Sequence, residues 1–163
     1  MILIILLCLL AAIGVITALA KNKRKARTAK EAWPFYAKPL LSKPEQVLYH
    51  RLVSALPEQI ILAQVQLSRV LDVKKGYNFG QWHNRINRMS LDFVVCRKDS
   101  SVVAAIELDD KSHEAESRQK ADAKKDKALA SAEIPIIRWK VEKMPDEETI
   151  QETLKKKITK KML

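Results

Sequence analysis

The sequence predicts an α/β domain in the order helix, three strands, helix, strand, helix, preceded by an apolar N-terminal helix. Three observations carry this reading. Ile- and Val-rich runs of strand length recur at residues 59–66, 91–97, 102–108 and 134–139. Stretches with helical spacing and capping signals stand before, between and after them. No internal repeat or low-complexity tract interrupts the order. The 163 residues suit one domain, with 30 Lys and Arg against 19 Asp and Glu giving a formal net charge of +11. That length excludes a multidomain machine.

Met1 to Ala20 contains no charged residue. As a helix it would span about 30 Å, the hydrocarbon thickness of a bilayer. Two readings compete, a transmembrane anchor and a cleaved signal peptide ending at Ala18-Leu19-Ala20. No Lys or Arg precedes the run and the cluster KNKRKAR follows it at once, so the positive-inside rule favours an anchor with the remainder in the cytoplasm, at the inner membrane of a bacterium. Residues 21–38 form a basic linker with seven Lys or Arg and one acid, which topology and attraction to anionic headgroups explain without nucleic acid. Trp33 reads as an interfacial anchor. The globular remainder, residues 39–163, is only mildly basic. Cys8 and Cys96 lie in the apolar run and in a strand, so disulfide scaffolding is excluded and a reducing compartment fits.

The first helix of the globular part runs from about 43 to 56, since Ser42, Pro44 and Glu45 carry capping-box chemistry ahead of apolar residues at helical spacing. QIILAQVQ (59–66) reads as a strand and LSRVLDV after it as a short helix. Residues 73–90 hold Gly76, Asn78, Gly80 and the polar run QWHNRINRMS, a loop able to order on a ligand. LDFVVCR and VVAAIEL flank the turn Lys98 to Ser101, a hairpin whose strands are apolar enough to be central. Glu114 to about Ala132 is strongly helix-forming, and IPIIRW (134–139) reads as a buried strand with Trp139 in the core. Pro145-Asp146-Glu147-Glu148 starts a last helix, acidic first and lysine-rich at its end as the macrodipole favours. The domain proper is 39–145, with 146–163 as a C-terminal helix.

Three carboxylates fall at strand ends. Asp92 begins one hairpin strand; Glu107 and Asp109 end the other. In an antiparallel pair these positions adjoin, and residues two apart share a face. Clustered oxygen ligands suit Mg²⁺ or Mn²⁺, which can activate water and neutralise charge on a phosphate under attack.

The element order with Asp92 … Glu107-x-Asp109 resembles the PD-(D/E)xK nuclease superfamily. The longer signature IELDDKSH, Arg118, Asp122-x-x-Lys125-Asp126-x-x-Leu129 and IPIIRW is similar to domain of unknown function 2726, related to very-short-patch-repair endonuclease-like proteins. The resemblance covers residues 38–142. It implies a restriction-endonuclease-like αβββαβ core and metal-dependent cleavage of DNA or RNA. Asp92 would bind metal, Glu107 would be the acid of the (D/E)xK element, and Glu45 matches an additional metal ligand that some members use. Asp109 stands where that element has lysine, so the resemblance points to His113 as acid/base, with Lys111 or Lys125 able to move into the lysine's role. Asp110 stands where relatives often have glycine.

Plainer readings accompany each assignment. The capping box alone accounts for Glu45. Asp92 and Glu107 are harder to dismiss, because a carboxylate among apolar strand residues is costly to bury without a partner. His113 also fits a surface turn, and His50 and His83 have no ligand spacing. Arg118, Asp122 and Lys125 share one helix face, which is equally a solvated salt-bridge stripe. Trp82, Arg85 and Arg88 mix aromatic and basic groups suited to nucleic acid, and Arg118 joins them by resemblance. A catalytically inactive nucleic-acid- or protein-binding module on the same fold is the alternative to the enzyme.

Overall fold

The computed structural model describes residues 1–28, 33–109 and 116–162. The chain divides into two units, Met1–Lys38 and Pro39–Leu163. In the first, one helix, α1, runs over Ile2–Thr28 and so continues through the basic residues beyond the apolar run. Leu9, Leu10, Ile13, Val15, Ile16 and Leu19 on it are exposed. Among the described residues no helix is long and apolar enough to cross a membrane. Trp33 and Phe35 follow, exposed, with ring centroids 5.7 Å apart.

The second unit is a three-layer α/β structure around one four-stranded sheet. Helix α2 (Lys43–Ala55) is capped by Ser42 and Glu45 in a capping box, with Pro44 in its first turn. Strand β1 (Ile60–Gln66) follows, then the short helices α3 (Leu67–Val70) and α4 (Phe79–His83). The hairpin β2 (Ser90–Cys96) and β3 (Val102–Asp109) comes next, then α5 (Glu116–Ser131), β4 (Ile136–Lys140) and α6 (Glu147–Met162). The sequence expectation of a wholly irregular 73–90 therefore misses α4, whose N-cap Asn78 accepts a bond from Gln81 N at 2.9 Å. A 3₁₀ turn at Val141–Lys143 was likewise without a sequence signal.

The strands lie in the order β1-β2-β3-β4. The first two pairings are antiparallel, and β4 joins β3 in parallel after the α5 crossover. β2 and β3 are central and almost wholly buried, as their continuous apolar runs require of strands covered on both faces. One face packs Leu48, Leu52, Ile150 and Leu154 of α2 and α6 against Phe93, Val95, Ile106 and Ile137. The other packs Leu67 of α3 and Leu129 of α5 against Leu91, Val94, Cys96 and Ala105. Trp139 is half-buried against the first cluster, in agreement with its reading as core. Arg51 donates to the carbonyl of Pro145 at 2.7 Å and Gln151 to that of Ala55 at 2.9 Å, which ties α6 to α2.

Candidate functional site

The hairpin register brings the strand acids together. The pairing of Phe93 with Ile106, carried one residue further, sets Asp92 opposite Glu107. The Asp92 carboxylate crosses that gap and accepts a hydrogen bond from Leu108 N at 2.8 Å. Glu107 shares its sheet face with Ala105, which packs under α5. Lys125 of α5 reaches the same place, and its ammonium donates to Glu107 Oε2 at 2.8 Å. Both side chains are close to 10% exposed, so this is an ion pair almost without solvent screening.

Burial dominates the electrostatics here. It pushes the Glu107 carboxyl up to about 7, against the opposing pull of Lys125, while the neighbouring Asp92 charge adds to the rise. Asp92 is also raised above the usual carboxylate range, first by burial, then by the like charges of Glu45 and Asp109; the bond from Leu108 and the charge of Lys125 offset part of this. Glu107 Oε1 is buried and has no hydrogen-bond partner among the described residues. A buried carboxylate oxygen without a partner is costly, and such an oxygen is a natural acceptor for a bound proton, water or cation.

Glu45 takes the capping role, and both of its carboxylate oxygens accept from protein donors. Its Oε2 accepts from Ser42 N at 2.6 Å, which caps α2. Its Oε1 accepts from the Gln64 amide at 2.7 Å, and its charge acts on Asp92. Gln64 was not anticipated. The register pairing Ala63 with Phe93 and Val65 with Leu91 places it opposite Asp92, and its φ of +52° is left-handed in mid-strand. The sequence signal was a polar residue interrupting the apolar run of β1. Arg138 was also missed. It pairs in register with Glu107, acts on it electrostatically, and holds Asp126 at 2.6 Å. A lone arginine inside IPIIRW was the signal for it.

The remaining candidates separate. Asp109 ends β3, exposed, beside the pair. Lys111 and His113 lie outside the described residues, and so does the side chain of Arg118 on α5. Arg85 and Arg88 are exposed on the segment leading into β2, with the Arg85 guanidinium 4.3 Å from the Trp82 ring centroid. His50 and His83 contact the Tyr49 and Phe79 rings. Among the described residues no group of three or more His, Cys, Asp or Glu stands close enough to hold a metal ion.

Comparison with protein families matches residues 37–158 to DUF2726, described as a protein of unknown function. The chain belongs to the DUF2726 family. No curated protein and no solved structure matches it. The DUF2726 match spans the second unit nearly from end to end, and the signature residues of α5 have separate tasks within it. Lys125 neutralises Glu107, Asp126 holds Arg138, and Leu129 is fully buried in the core.

Proposed function

We propose that this DUF2726 domain is a divalent-metal-dependent phosphodiesterase of the restriction-endonuclease-like class, acting on DNA or RNA and tethered by residues 1–20 to the cytoplasmic face of a membrane. The observation that carries the reading is the buried Lys125–Glu107 pair beside Asp92 at adjoining strand ends. Asp109 cannot supply the cation that the (D/E)xK element provides, and Lys125 brings one to the same carboxylate from α5.

The donor chemistry fits Mg²⁺ or Mn²⁺. Asp92 and Glu107 would hold the ion, with Asp109 and Glu45 adjoining, and Glu107 Oε1, without a hydrogen-bond partner among the described residues, is an oxygen of the required kind. Such an ion supplies charge neutralisation at the phosphate and a more acidic bound water. Lys125 keeps Glu107 oriented through one N–H and has two further donors for a water or a phosphate oxygen. Because burial raises the Glu107 carboxyl to about 7, taking up an ion there would release its proton. Leu108 N fixes Asp92 against rotation.

Calorimetry with Mn²⁺ on the fragment from Ala37, alongside cleavage of DNA and RNA, tests this. Saturable binding and cleavage that both disappear in Asp92→Asn, with cleavage alone lost in Lys125→Met, is the expected result. A folded protein that takes up no metal and cleaves nothing removes the enzyme reading. The binding-module alternative then stands. For the tether, the support is the uncharged run of Met1–Ala20 followed by a basic cluster. A C-terminal reporter that functions only in the cytoplasm, on protein sedimenting with membranes, is the expected outcome.

A further inference from the structure

Residues 73–90, between the first helices and β2, contain no acid and carry Lys74, Lys75, Arg85 and Arg88, all exposed. The same segment displays three large rings to solvent: Tyr77 at 61%, Phe79 at 57% and Trp82 at 41% exposure. Burying such rings is strongly favourable, so a cluster of them at a surface marks a contact site. They are also arranged. Tyr77 meets Trp82 edge-on with centroids 6.0 Å apart, Phe79 stacks on His83 at 5.0 Å, and Arg85 lies over Trp82. Asn78 caps α4 beneath them, and Gly76, with φ +89°, makes the turn that presents Tyr77.

A cavity of about 340 Å³ opens beside the rings, lined by Lys74, Tyr77, Trp82 and Ile86 together with Ala128 of α5, and by one acid, Asp72, at the edge of the segment. Ala128 lies one helical turn beyond Lys125, and the segment ends at Ser90, two residues before Asp92. The platform is thus joined to the acid–lysine site through both α5 and β2.

We infer that this aromatic and basic segment is a stacking platform for single-stranded nucleic acid, feeding an unpaired strand toward Asp92 and Glu107. The inference rests on the phosphodiesterase reading for the identity of the site, but binding needs no cleavage. Exposed rings take unpaired bases whatever their sequence, while the four cations of the segment follow the phosphates. Duplex recognition calls instead for an element that enters a groove and reads base edges; the five-residue α4 is too short for that.

The test uses the full chain in detergent micelles, carrying Asp92→Asn to prevent cleavage. Fluorescence anisotropy compares a mixed-sequence single-stranded DNA oligonucleotide with its duplex. Single-strand binding at least about tenfold tighter than duplex binding is expected, weakened on the order of tenfold by Trp82→Ala and kept by Trp82→Phe. Phe79→Ala supplies a second variant, and circular dichroism establishes that each is folded. Equal affinity for both forms, or folded Trp82→Ala and Phe79→Ala proteins that bind like their parent, overturns the platform. Failure of the phosphodiesterase reading shows separately, as single-strand binding intact in a wild-type protein that cleaves nothing.

Discussion

Glu107 keeps its proton to about pH 7 in the folded chain, whereas its ordinary value is 4.5. Within that window the folded state binds more protons than the unfolded one, so stability falls as pH rises from about 4.5 to 7 and this contribution then levels off. The shift corresponds to about 3 kcal/mol. Urea titrations of the fragment from Ala37 at a series of pH values should show this slope, and Glu107→Gln should flatten it by that amount. The smaller slope of the same sign that remains belongs to Asp92, which burial also raises. Lys125→Met leaves a buried carboxylate without its counter-charge and should cost about 3 kcal/mol above pH 7. The cost should shrink below pH 6, where Glu107 is neutral, and most of it should return in Glu107→Gln/Lys125→Met. Of this site, Asp92, Glu107 and Asp109 were legible as acids at apolar strand ends. Which cation answers them was not, because a lysine 18 residues away faces the sheet only once the crossover has been made. The sequence left Lys125 as one of several lysines on a polar helix.

At the scale of elements, α2 carries a burden beyond packing. One carboxylate, Glu45, both caps the helix and bonds to Gln64 of β1. Ser42→Ala removes only cap chemistry and should lower stability by about 1 kcal/mol, with no effect on the acids. Glu45→Ala should cost at least as much and in addition lower the pKa of Asp92, since a like charge beside it is gone. Thermal unfolding with carboxyl titration followed by NMR separates the two. The helices and strands themselves were largely legible. The 43–56 and 59–66 expectations meet α2 and β1 within a residue, because caps and β-branched runs act locally. Helix α4 was hidden by the Gly, Asn and polar composition of its surroundings; what stabilises it is an Asn78 cap and ring contacts made across the segment. Gln64's left-handed backbone is a tertiary effect with no local signature beyond its polarity.

Across the whole molecule, the sheet mixes a hairpin with one parallel pairing. The hairpin closes over the short turn at Arg97–Ser101. The parallel strand arrives only after α5 has been laid across the sheet. That arrangement gives the site a history as well as a shape. Short-range pairings form sooner than long-range ones, so Asp92 and Glu107 are brought face to face before Lys125 and Arg138 arrive. During that interval two carboxylates oppose each other across the strands without compensation, and like charges so placed disfavour the pairing. Folding should therefore accelerate as pH is lowered from 7 toward 5, in stopped-flow refolding of the fragment from Ala37, and Asp92→Asn should remove most of the acceleration. A refolding rate insensitive to pH in this range would mean that α5 docks before the hairpin closes. The charge arrangement suited to chemistry at the finished site thus sets the pace at which the site is assembled.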